Sequence, residues 1–174
     1  LEDNNATTHS YPRTTTTTHT STDASYSGQT GVMTLRVPQH GFANGDQIKI
    51  ADNSITFRCA EDNYQTDHTY PRTSDPASGS WLEISNVTSN TFDVTVLLST
   101  EIPSTNTTTH TYQTSTSGNI TWKKDRAYDV PLTVKSVTDT TITVNVLASG
   151  RTPSTNTTTC LLYTSPSPRD KTVS

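Results

Sequence analysis

The chain repeats itself, and its repeats carry apolar residues at every second position. Residues 82–109 and 132–159 align without a gap at an offset of 50, with 15 of 28 positions identical. Residues 2–14 (EDNNATTHSYPRT) and 61–73 (EDNYQTDHTYPRT) agree at nine of 13 positions at an offset of 59. Such copies imply one small structural unit used several times, each needing neighbours or other chains to cover its apolar face. Met33, Leu35 and Val37 share one face of a strand. Ile48 and Ile50 mark the next, then Ile55, Phe57 and Cys59. Leu82 and Ile84 face one way, followed by Phe92, Val94, Val96 and Leu98. The second copy repeats this with Leu132 and Val134, then Ile142, Val144 and Val146. Alternation of this kind is the signature of a half-buried strand, and no ten-residue stretch has a helical period.

Turn residues separate these runs at Asn44-Gly45, Asp52-Asn53, Ser89-Asn90 and Asp139-Thr140. Strands joined by such short turns pair as antiparallel hairpins. The sequence therefore predicts an all-β fold: tandem small antiparallel β-hairpin units, closed as sandwiches or barrels. The repeats divide the chain into a truncated repeat at 1–20, a main β repeat unit at 21–112 and a second partial repeat at 113–159. The N-terminal copy jumps after Thr14 to TTTHT at 16–20, which matches 107–111, so about thirty residues of the other copy are missing. Either the unit is shortened or repetitive reads collapsed in assembly.

Residues 160–170 read CLLYTSPSPRD, and this stretch resembles a translated adapter of transposase-based sequencing libraries. The repeat supports a break there, because PSTNTTTH at 103–110 becomes PSTNTTTC at 153–160. Residues 160–174 are expected to be a disordered tail rather than a domain, and residues 1–159 a fragment. With Cys160 set aside, Cys59 stands alone, so no intramolecular disulfide is expected, and its apolar strand neighbours predict a buried small hydrophobe.

Composition narrows the function classes. Only 29% of residues are hydrophobic, while threonine fills 39 of 174 positions. Threonine is β-branched and tolerates half-exposed strands. A net charge of -4 without a basic stripe argues against nucleic-acid binding. No apolar run approaches the roughly 18 to 20 residues that span a bilayer.

The polar chemistry offers few catalytic patterns. His9, His19, His68 and His110 recur beside Ser, Thr and Tyr, and this spacing favours packing on a strand face over metal binding. Glu61, Asp62, Asp67 and Asp75 match no EF-hand loop and read as solvated turns. No nucleophile elbow, zinc spacing or phosphate loop occurs, and nothing sets two acids opposite each other as a glycosidase requires. No cofactor is expected. The tripeptide Tyr-Pro-Arg occurs twice, at 11–13 and 70–72. Its functional reading is a receptor or glycan contact by Tyr11, Arg13, Tyr70 and Arg72, a stacking ring beside a forked cation. Its structural reading, which the repeat favours, is a proline-set turn with an arginine cap. Five Asn-x-Thr sequons, at Asn5, Asn86, Asn106, Asn119 and Asn156, arise easily in such a composition.

His40-Gly41-Phe42, Asn44-Gly45-Asp46 and Ile48 resemble a strand-loop-strand signature of small β modules in phage tail and virion proteins. Gly41 and Gly45 would supply the turn dihedrals, Phe42 would plug the loop onto the core and Asp46 would cap free amides. YSGQTGVMTL (26–35), IADNSITFRC (50–59), HTYPRTSDPASG (68–79) and VTSNTFDVTVL (87–97) extend the resemblance to repeats in large structural proteins of marine tailed phages. Two departures are the shortened N-terminal copy and Pro131 where the other copy has Trp81. The resemblance implies a non-enzymatic virion structural protein of tail or fibre type. Its partners would be itself or other virion proteins, with host-surface glycan or receptor contact. A bacterial surface or secreted adhesin of similar repeats is the alternative, and a polysaccharide-degrading enzyme ranks below both.

Overall fold

The computed structural model describes residues 15–102, 104–123, 127, 132–144 and 146. The expectations for residues 1–14 and for the tail at 160–174 lie outside the described residues. The fold is all-β. Strands β1 (Thr16–His19), β2 (Asp23–Ser27), β3 (Val32–Arg36), β4 (Gln47–Ile50), β5 (Ile55–Cys59) and β6 (His68–Tyr70) are followed by β7 (Leu82–Ser85), β8 (Thr91–Thr95), β9 (His110–Ser115), β10 (Ile120–Lys123), β11 (Val134–Val137) and β12 (Ile142–Val144). The helical content among the described residues is two 3-10 turns, Ala60–Asp62 and Ser99–Glu101.

Seven strands form one sheet in the order β1-β10-β4-β7-β8-β3-β2, and β6-β5-β9 form a second. All neighbours are antiparallel. The strand β7 turns the large sheet. Its first residues, Leu82 and Glu83, pair with Ile48 and Gln47, whereas Ile84 and Ser85 pair with Val94 and Asp93. One short strand thus serves two partners and lets the sheet fold around its apolar side. That side holds Met33, Leu35, Ile48, Ile50, Ile84, Phe92, Val94 and Ile120, while Ile55 and Phe57 enter the same core from the smaller sheet. Each of these residues is at most 4% exposed. Burying one such side chain contributes about 1.5–3 kcal/mol, so a chain poor in apolar residues folds by concentrating them. Leu98 departs from the alternation of its run and is 53% exposed, because it leaves β8 for the 3-10 turn at Ser99–Glu101.

The large sheet runs across the repeat divisions. β1 comes from residues 1–20 and β10 from 113–159, yet His19 pairs with Ile120 and Ile120 with Ile50. Ser21 and Asn119 fasten this junction. The Ser21 amide donates to Asn119 Oδ1 at 2.9 Å, and Asn119 Nδ2 donates to Ser21 Oγ at 2.8 Å. Asn119 is 1% exposed, so this sequon lies inside the protein. Lys123 is also buried, its Nζ lying 4.4 Å from the centre of the Trp81 ring, a cation–π contact that Lys49 makes from 4.8 Å.

β11 and β12 form a separate two-stranded sheet. It copies the β7–β8 hairpin in its turn and in its first pair, and then slips by one residue: Ser85 pairs with Asp93, whereas Ser136, not Lys135, pairs with Thr143. Ile84 pairs with Val94 in the first copy, and Val134 pairs with Val144 in the second. The turn is the same too: Thr91 N–H donates to Thr88 Oγ1 at 3.0 Å, and Thr141 N–H to Thr138 Oγ1 at 3.0 Å. Burial separates the copies. Phe92 is fully buried, whereas its counterpart Ile142 is 67% exposed. The alternation is present in both, but only β8 has β3 paired on its far edge.

Candidate functional site

The loop between β3 and β4 carries Gly41, Gly45 and Asp46. Gly41 has φ +70° and Gly45 has φ +81°, backbone that glycine adopts without penalty. Asp46 is 4% exposed. Its Oδ2 accepts the Ala43 amide at 2.9 Å and the Trp122 indole N–H at 3.2 Å. Phe42 stacks on Trp122, with ring centres 5.5 Å apart and planes at 27°. His40 lies beneath, its Nδ1 accepting the Phe42 amide at 2.9 Å and its ring set edgewise to Phe92. Burial lowers the His40 pKa, as does the nearby His19, while a Thr91 backbone bond and Asp46 oppose the shift. These groups close on one another, and the loop is a built plug rather than an opening.

The opening lies elsewhere, where β5, β6 and β9 face β2 and the end of β8. A cleft of about 670 Å³ there is lined by aromatic rings and polar side chains together. Tyr26 from β2 and His110 from β9 meet edge to face with centres 5.1 Å apart, and Phe57 lies edgewise to His110 at 6.1 Å. Tyr70 and Arg72 come from the end of β6 and the turn beyond it, across the cis Tyr70–Pro71 bond. The Arg72 guanidinium is exposed and pairs with Asp75 at 3.0 Å, and the Arg72 amide donates to Asp75 Oδ2 at 2.8 Å. Two glycines make room for the opposite wall. A Cβ on Gly28 would sit 2.9 Å from Asn106, and one on Gly31 would sit 2.8 Å from the Leu97 Cβ.

Four carboxylates line this cleft, from Glu61, Asp62, Asp67 and Asp75. Asp62 accepts the Thr66 hydroxyl, the Thr66 amide at 3.1 Å and His68 Nε2 at 3.2 Å. The Thr66 hydroxyl above all, then His68 and the backbone amides, hold its carboxyl down to about 2. Asp67 pairs with Arg58 at 2.7 Å. Burial first, then Asp75 and Tyr26, push the Tyr70 hydroxyl up, with Arg72 working against them. Burial pushes the Cys59 thiol up, as do Asp62 and Glu61, and lowers the His110 imidazole. Among the described residues the buried Tyr70 hydroxyl has no hydrogen-bond partner. Among the described residues no group of three or more His, Cys, Asp or Glu is placed to hold a metal ion. Cys59 is buried and free.

Of the residues read from the sequence as a contact, Tyr70 and Arg72 stand together on this cleft, and Tyr11 and Arg13 lie outside the described residues. The cleft's other groups were not singled out for contact. Tyr26 and His110 belong to strands far apart in sequence, and only the fold unites them. For Glu61, Asp62 and His68 the sequence carries a signal, since they recur at the offset of 59 along with Tyr70 and Arg72. Comparison with protein-family models, curated proteins and solved structures found no match. No helix among the described residues is long and apolar enough to cross a membrane.

Proposed function

We propose that this chain is a non-enzymatic structural module of a tailed-phage particle, of tail or fibre type, which turns its cleft toward the host surface. The observation that carries the reading is the hairpin built twice from copied sequence, with the same Thr-Thr turn at Thr88 and Thr91 and at Thr138 and Thr141. Reuse of one supersecondary unit along a chain suits an extended array, in which each unit borrows burial from its neighbours. The exposed Val134, Val137 and Ile142 fit a chain that self-associates or packs on other virion proteins. The phage-like strand-loop-strand signature adds the particle context. Antibodies raised against the chain test it by fractionation of an infected culture. Signal sedimenting with DNA-filled particles supports the virion module. Signal confined to the cell envelope or the particle-free medium overturns it in favour of an adhesin.

A further inference from the structure

The offset of 59 copies nine of 13 positions, and five of these nine, Glu61, Asp62, His68, Tyr70 and Arg72, line the cleft. Core packing does not account for this. Glu61, His68 and Arg72 are exposed, so none of them is held by burial in the core. Asp67, also on the cleft, is Thr8 in the other copy, so the copied set is a particular one. The repeat keeps, beside Asn63, Thr66, Pro71 and Thr73, five residues on the wall of a concavity whose size falls within the range of about 300–1,000 Å³ usual for small-ligand sites.

The chemistry of that wall selects a ligand. Its four carboxylates face one guanidinium among the lining residues, and that guanidinium is engaged by Asp75. The half-buried His110 is held toward its neutral form by the burial it has. An anionic ligand would meet like charge, because the charge of the guanidinium among the described lining residues is already paired by Asp75. A hydroxyl-rich neutral ligand meets acceptor lone pairs on Asp62 and Asp75, the Arg72 N–H groups that Asp75 leaves unbonded, and the rings of Tyr26 and His110 for its apolar face. We infer that the cleft binds an uncharged oligosaccharide of a cell envelope. The inference rests on the host-contact reading above and adds the ligand class, with acidic sugars excluded.

The test is titration of the full chain, by saturation-transfer NMR and calorimetry, with chitotetraose, maltotetraose and mannotetraose as neutral probes and sialyllactose and a heparin tetrasaccharide as acidic ones. At least one neutral probe should bind and the acidic probes should not. Arg72→Ala and Asp75→Asn should each weaken binding at least tenfold, while Thr143→Ala, outside the cleft, should not. Arg72 is exposed, so its variant should melt with the parent and any loss of binding belongs to the site. Preference for an acidic probe overturns the ligand class and leaves host contact standing. Failure of all three neutral probes, or full affinity in Arg72→Ala, overturns the site. In both cases the virion module is still decided by the particle fractionation.

Discussion

His40 ties this fold to pH through a hydrogen bond that its ring accepts. Its Nδ1 must stay unprotonated to accept the Phe42 amide, and its ring lies among Phe42 and Phe92. A histidine with a lowered folded pKa binds fewer protons folded than unfolded. Its contribution is whole above the unfolded value of 6.5 and is lost as pH falls below it. The melting temperature should therefore drop from about pH 7 to about pH 5, and His40→Gln should reduce the slope. His19 and His110, lowered by burial in the same direction, should keep some of it. An unchanged slope in His40→Gln would remove His40 from this role. Gly31 is a second sensitive residue. It combines φ +65° with a Cβ position 2.8 Å from Leu97, so Gly31→Ala should cost about 1–3 kcal/mol in a denaturant titration. Of the site, the sequence made Tyr70 and Arg72 legible because the tripeptide recurs. It hid Tyr26, because a ring supplied by a distant strand leaves no local pattern.

At the scale of the element, the two copied hairpins separate sequence from context. Phe92 and Ile142 follow the same turn at equivalent positions of the copied sequence, and they differ in what covers them. Phe92→Ala should cost about 3–5 kcal/mol, because it empties a packed core. Ile142→Ala should stay within about 0.5 kcal/mol of the parent, as surface changes do. Equal losses would mean that the second hairpin is covered after all. The alternation of apolar residues gave the strands of the core correctly, since each pointed its marked face inward. It carried no information on β1, whose TTTH has no apolar face, and which finds its place by pairing with β10. Thr18 meets Thr121 and Thr17 meets Trp122, contacts more than a hundred residues apart that no short window contains.

At the scale of the molecule, copying in sequence and closure in space follow different boundaries. The repeats break near residues 20 and 112, whereas the large sheet takes strands from both sides of each break. Non-local hydrogen bonding makes β1, β10 and β4 one cooperative patch, closed by the buried Ser21–Asn119 pair. The cleft depends on that closure less directly, through the core that β5 and β9 share with the large sheet.

Hydrogen exchange followed by mass spectrometry tests this continuity most directly. If the sheet spans the repeats, peptides covering β1, β10 and β4 should be protected together and lose protection together as denaturant is raised. Exchange of β1 at the rate of a free peptide, with β4 still protected, would contradict it and return the chain to units that fold one repeat at a time.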